Sequence, residues 1–177
     1  MKKALALLAG VFCLSSWNAL AQQPALDDAQ IMEILTQAND VDIANGKLAQ
    51  KNASNPDVKG FAQRMITDHQ QSNDSGKALA KQLKIKPQSS PISDGLKASG
   101  KDAMKSLKDL KGADFDQAYV KNEIAVHQMV LDTIDKDLMP NAKSDDVKTL
   151  LTKTRPVIAS HLEHAKKLQA TLGKSAS

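Results

Sequence analysis

The sequence predicts an all-α protein: four long helices in an antiparallel bundle, with a crossover linker and a short accessory helix between the second and third. Three observations carry that expectation. The 177 residues are rich in Ala, Lys, Leu, Asp and Gln and poor in β-branched runs, a balance that favours helices over sheets. Apolar residues recur three and four apart along four separate segments. Pro87, Pro91, Gly112 and Pro140 fall between those segments, where a chain must turn.

The N-terminus is read apart from the fold. Lys2 and Lys3 precede an apolar run, Ala4 to Leu14, and Ala19-Leu20-Ala21 is a small-x-small cleavage pattern followed by polar Gln22 and Gln23. Together these predict a secretory signal peptide over 1–21, cleaved after Ala21, and hence a periplasmic or otherwise exported protein. The run is too short for a retained anchor, which needs roughly 20 apolar residues. Cys13 follows Phe12, not the small residue that a lipidation signal wants. Cleavage removes Cys13 and Trp17, so no disulfide is expected. It also removes Lys2 and Lys3, so the net charge falls from +4 to +2. No basic tail or aromatic–basic interleaving points to nucleic acid, and no second long apolar run points to a membrane-spanning mature chain. Residues 22–27 read as a polar leader, 28–172 as one bundle domain and 173–177 as a polar tail.

The first helix, near 28–53, takes Asp27 or Asp28 as its cap, and its seam runs Ile31, Leu35, Ala38, Asp42, Ala49. Asn55 caps a second helix near 56–84 with Pro56 at its first position. Its seam is Val58, Ala62, Met65, His69, Ser72, Gly76, Leu79, Leu83, where small Ser72 and Gly76 invite a close neighbour. Pro87, Ser89, Ser90 and Pro91 mark the crossover linker, and Ser93 caps a Lys-rich accessory helix near 94–110 that Gly95 and Gly100 weaken. A third long helix near 115–139 is capped by Asp114, carries Val120, Ile124, His127, Leu131, Ile134 and Leu138 on one stripe, and is closed by Pro140. The fourth, near 145–171, runs Val147, Leu151, Thr154, Ile158, His161, Ala165, Leu168, with Pro156 expected to kink or loosen it. Four long helices with one long crossover between the second and third have the ferritin-like topology.

Each long helix thus places one metal-capable side chain on its seam: Asp42, His69, His127 and His161, with Glu123 one turn before His127. Counting from the hairpin turns at 1.5 Å per residue, Asp42 and His69 are level to roughly 3 Å, and His127 and His161 are offset by roughly 6 Å. Imidazole and carboxylate suit a zinc or iron ion, and no thiolate is present. Asp68, Glu163 and His164 lie beside the seam, where orienting partners of the ligands belong. The Glu-x-x-His pair of dinuclear carboxylate bundles is absent, because Ile66, Ile124 and Ile158 stand three residues before the histidines. No serine sits in a nucleophile-elbow setting, and the methionines read as core filler. The alternative is that each histidine is a core residue satisfied by Asp42, Glu123 or a backbone carbonyl.

Several stretches resemble one family. They are Asp42-Ile-Ala-Asn-Gly-Lys-Leu-Ala49, Asn55-Pro-Asp-Val-Lys-Gly-Phe-Ala62, Met65-Ile-Thr-Asp-His69, Phe115-Asp-Gln-Ala-Tyr119, His127 and Arg155-Pro-Val-Ile-Ala-Ser-His161. They are similar to the bacterial ferritin-like domain of unknown function four-one-four-two (DUF4142), whose members are exported and often labelled outer-membrane proteins. The resemblance covers about 28–172 and implies an exported ferritin-like bundle without implying an activity. The family usually carries Glu in the first helix where this chain has the shorter Asp42. Two functions stay open: a metal-binding or metal-dependent redox bundle, and a non-catalytic structural or stress-related envelope protein.

Overall fold

The computed structural model describes residues 25–174. The signal peptide and its cleavage site, residues 22–24 of the leader and the last three residues of the tail lie outside the described residues. Among the described residues every regular element is helical.

Helix α1 (Asp28–Asn52) starts from a reciprocal cap: Gln30 N–H donates to Asp27 Oδ1 at 2.9 Å and Asp27 N–H donates to Gln30 Oε1 at 3.2 Å. α2 (Pro56–Leu83) starts from Asn55, whose Oδ1 accepts from Asp57 N–H at 2.8 Å, with Pro56 in the position that needs no N–H. Three residues join the two, so they return antiparallel along each other's length. Their close approach is at Gly46: a Cβ there would lie 2.9 Å from Ile66 Cγ1 and 3.1 Å from the Ala62 carbonyl. Gly76, the glycine expected to serve this purpose, would make only an ordinary 3.7 Å contact with Met32.

The accessory helix begins earlier than expected. α3 (Pro91–Leu107) is capped by Ser90, not Ser93; Ser93 is instead the third helical residue and closes a reciprocal box with Ser90. Pro91, read as linker, is the first helical residue, where its fixed φ and missing N–H cost nothing. α3 lies on α1, and Gly100 allows it, since a Cβ there would collide with the Val41 side chain.

α4 (Gly112–Thr133) starts at Gly112 with φ +60, two residues before the expected Asp114 cap. Pro140 does not close it at once. A π turn, Ile134–Leu138, carries the chain into a last helical turn, α5 (Met139–Asn141), and Met139 N–H reaches back five residues to the Ile134 carbonyl. The wider register accommodates a proline that has no N–H to give four residues back. α6 (Asp145–Lys174) runs unbroken through Pro156. Next to it Arg155 holds Asp135 of the π turn through two bonds of 2.6 and 2.7 Å.

α4 packs along α6 as α1 does along α2, and the pairs meet through α1 on α4 and α2 on α6. Two apolar clusters fill the interior. One gathers Ile31, Ile34, Ile134, Leu138, Leu151 and their neighbours. The other gathers Phe61, Met65, Phe115, Tyr119, Val120 and Leu168. Neither contains the buried polar residues Asn39, Asp42, Asn45, His69, Glu123, His127 and His161. No described helix is long and apolar enough to cross a membrane.

Candidate metal centre

The five sequence-predicted residues are all buried and come together. The rings of His69, His127 and His161 form a nearly equilateral triangle, with centroids 5.7, 5.2 and 5.4 Å apart. One nitrogen from each lies within 4.8 Å of the others, and Asp42, Glu123 and His127 form a second such group. The 6 Å offset expected between His127 and His161 is smaller because the loop between α5 and α6 is centred on residue 143, one later than assumed. His127 then lies 16 residues before it and His161 18 after, an offset of roughly 3 Å that side chains span.

Each imidazole is held by one nitrogen and turns the other inward. Asn39 donates its amide to Ser72 at 3.1 Å and Asn73 at 2.9 Å, so its oxygen faces His69 and accepts from Nδ1–H at 2.8 Å. His127 Nδ1–H donates to the Glu123 carbonyl at 2.8 Å, one helical turn back. His161 Nε2–H donates to the Asp68 carboxylate at 2.8 Å. The networks fix the tautomers, leaving lone pairs on His69 Nε2, His127 Nε2 and His161 Nδ1. None of these three has a hydrogen-bond partner among the described residues, nor do Asp42 Oδ1 and both Glu123 carboxyl oxygens. His69 Nε2 is 3.5 Å from Asp42 and His127 Nδ1 is 3.6 Å from the Glu123 carboxylate; both distances are too long and poorly placed to count as hydrogen bonds.

The electrostatics follow from burial. Desolvation lowers His69 despite the Asp42 charge, and lowers His161 to about 4 despite its bond to Asp68. Both rings are therefore neutral at pH 7. Burial and the adjacent Asp42 charge raise Glu123 well above the usual carboxylate range. Burial also opposes ionisation of Asp68, but its bonds to His161 and Arg64 outweigh that and lower it.

Of the three flanking residues, only Asp68 contacts the centre. Glu163 is exposed and bonds Lys166 at 2.9 Å. His164 is half-buried and meets the Phe61 ring edge and Arg64. Sequence reasoning missed Asn39, Asn45 and Tyr119. The signal was available: Asn39 and Asn45 stand one turn either side of Asp42, and Tyr119 one turn before Glu123.

A cleft of about 800 Å³ opens between α2 and α6. Pro156, Val157, Asp68, His69 and His161 are among the residues that line it. Arg64 spans its end, bonding Asp68 at 3.2 Å on α2 and Ser160 at 3.1 Å on α6.

The profile of the family described as "Domain of unknown function (DUF4142)" matches residues 15–168. Among solved structures, the chain is similar to one described as "putative secreted protein DUF305" from Streptomyces coelicolor. The TM-score is 0.70 at 14% identity, covering 82% of this chain and 93% of that one. This likeness shows a shared helical fold. No curated protein matches the chain.

Proposed function

Because the chain belongs to the DUF4142 family, which is defined without an activity, its role has to come from its own residues, and we propose that it is an exported ferritin-like four-helix bundle that binds a transition-metal ion at Asp42, His69, Glu123, His127 and His161. One observation carries this reading: three buried imidazoles are each anchored through one nitrogen and present the other, unpartnered, to a common point beside two buried carboxyls. Histidines that bind metals are held in this way, the outer nitrogen donating to a carbonyl or carboxylate that sets the ring's tautomer and direction. Buried polar atoms otherwise find partners, and leaving one unpaired costs about 1–3 kcal/mol. A purely structural envelope protein has no use for six such atoms in one place.

Three imidazoles with carboxylates and no thiolate favour zinc or iron(II). With bonds of about 2 Å, ligand atoms around one ion stand about 3 Å apart, so small side-chain movements from the observed spacing suffice. Binding requires neutral imidazoles, which burial already supplies, and displaces a proton from Glu123. Export rests on the N-terminal 21 residues, and the mature chain should begin at Gln22.

The test is metal analysis of protein purified from the cell envelope. About one zinc or iron ion per chain is expected, and a chelator should lower the melting temperature. His69→Ala should abolish both, while His164→Ala, away from the centre, should keep them. Metal-free protein whose melting is indifferent to added zinc and iron would leave the structural reading in its place.

A further inference from the structure

An ion relieves lone pairs; it does nothing for an N–H or O–H. Two buried donors beside the centre are left over by the ligand set. Asn45, 1% exposed, lies one turn after Asp42 on α1, and neither atom of its amide has a partner among the described residues. Tyr119, fully buried, lies one turn before Glu123 on α4, and its hydroxyl is likewise unpartnered. The Tyr119 ring is fixed: it stacks on Phe115 at 5.8 Å and meets the edge of Phe61 at 6.2 Å. Its hydroxyl lies within the field of both Glu123 and Asp42. If Asn45 turned its oxygen to the ion, its NH₂ and the Tyr119 O–H would still need an acceptor.

The geometry points to an exchangeable oxygen ligand on the ion, a water or hydroxide, held by hydrogen bonds from Tyr119 and Asn45. This rests on the metal reading and extends it. A structural site closes its coordination shell with protein atoms, whereas one that keeps a solvent position can exchange ligands and act on what binds there. Such a species both accepts and donates, which matches an amide and a hydroxyl better than a second cation would. A small anion able to replace it is the class of ligand the site would take.

Cobalt(II) loaded into chelator-stripped full-length mature protein makes this visible, because its d–d absorption reports changes in the coordination shell. Azide is the probe. In the wild type, azide should change the cobalt bands saturably. Tyr119→Phe keeps the ring and its stacking and removes one donor to the bound anion, so about tenfold more azide should be needed for half-effect. Asn45→Ser, shortening the second donor, should shift the titration the same way. Cobalt bands that form in the wild type but ignore azide overturn this inference and leave the metal site standing. Equal azide titrations in all three proteins overturn the roles of Tyr119 and Asn45. No cobalt uptake at all overturns both readings.

Discussion

Two buried carboxyl groups sit about two turns apart on α4 and could hardly be treated more differently. Asp116 is 1% exposed, and its carboxylate is saturated: it accepts from Ser54 N–H at 3.1 Å, Ser54 O–H at 2.6 Å and Asn55 N–H at 2.9 Å. It clamps the loop between α1 and α2 to the start of α4. Glu123 is fully buried and neither carboxyl oxygen has a partner. A group kept for stability collects every bond it can, because burial penalises each one left unmade. A group that stays unsatisfied among four others in the same condition stores that cost until something binds.

The comparison is broken most severely at its structural end. Asp116→Asn keeps the shape but turns an NH₂ toward donors, leaving the N–H groups of Ser54 and Asn55 and the Ser54 hydroxyl poorly matched. A loss on the order of 3 kcal/mol is expected from equilibrium denaturation. That loss should be the same with chelator or with added zinc, since Asp116 takes no part in the centre. A variant whose stability recovered with metal would tie the loop clamp to the site.

Ligand binding comes next. At a zinc concentration a hundred times the dissociation constant, the wild type should gain about 2.7 kcal/mol by mass action. Calorimetric melting with and without zinc measures this directly. His69→Ala should cancel the gain, and in metal-free protein it should cost about 1–3 kcal/mol through the orphaned Asn39 oxygen.

Acid probes the histidines. Folding depresses His161 to about 4, chiefly by burial, and lowers His69 for the same reason. Below the ordinary value of 6.5 the unfolded chain takes up protons that the folded chain refuses. Metal-free stability contributed by these rings is therefore intact above pH 6.5 and lost as pH falls toward 4. Glu123, raised by burial, acts in the opposite sense at higher pH, its contribution fading as pH rises through its folded value. Urea titrations at stepped pH should show the acid-side loss, and His161→Gln should flatten part of it.

How much of this was written in the sequence depends on whether the signal was local. Caps and seams are local, so Asp27, Asn55 and Pro56 mark helix starts, and seam spacing puts Asp42 and His69 nearly level, with His127 and His161 on facing seams about a turn apart. Contacts between helices are not local. Asp28 accepts from Lys143 and Ser144 N–H at 2.9 Å each, and Asp116 holds Ser54 and Asn55, across separations of more than sixty residues that no periodicity displays. Glycine roles failed for the same reason: Gly46 and Gly100 are set by what faces them, Ile66 and Val41, while Gly76 lies on the better seam and faces only the tip of Met32. Pro91 and Pro140 look like breaks in the sequence although one starts a helix and the other sits inside a last turn, because proline removes a donor and does not by itself end a helix.

The smallest expected change in stability draws the contrast most sharply. Glu123→Gln is the same carboxyl-to-amide exchange as Asp116→Asn, in the same helix, at similar burial. In metal-free protein Glu123 already resists ionisation, and burial beside Asp42 makes any charge there costly. The amide carries no charge and can donate to Asp42 much as the protonated carboxyl does. Stability should therefore change by less than about 1 kcal/mol, and toward gain. With metal the order reverses, for the amide is a poor ligand, and zinc affinity should fall about ten- to a hundredfold. Paired denaturation and zinc-competition titrations on Glu123→Gln and Asp116→Asn decide the matter: a Glu123→Gln protein that unfolds as readily as Asp116→Asn, yet binds zinc like the wild type, would make Glu123 a structural group after all.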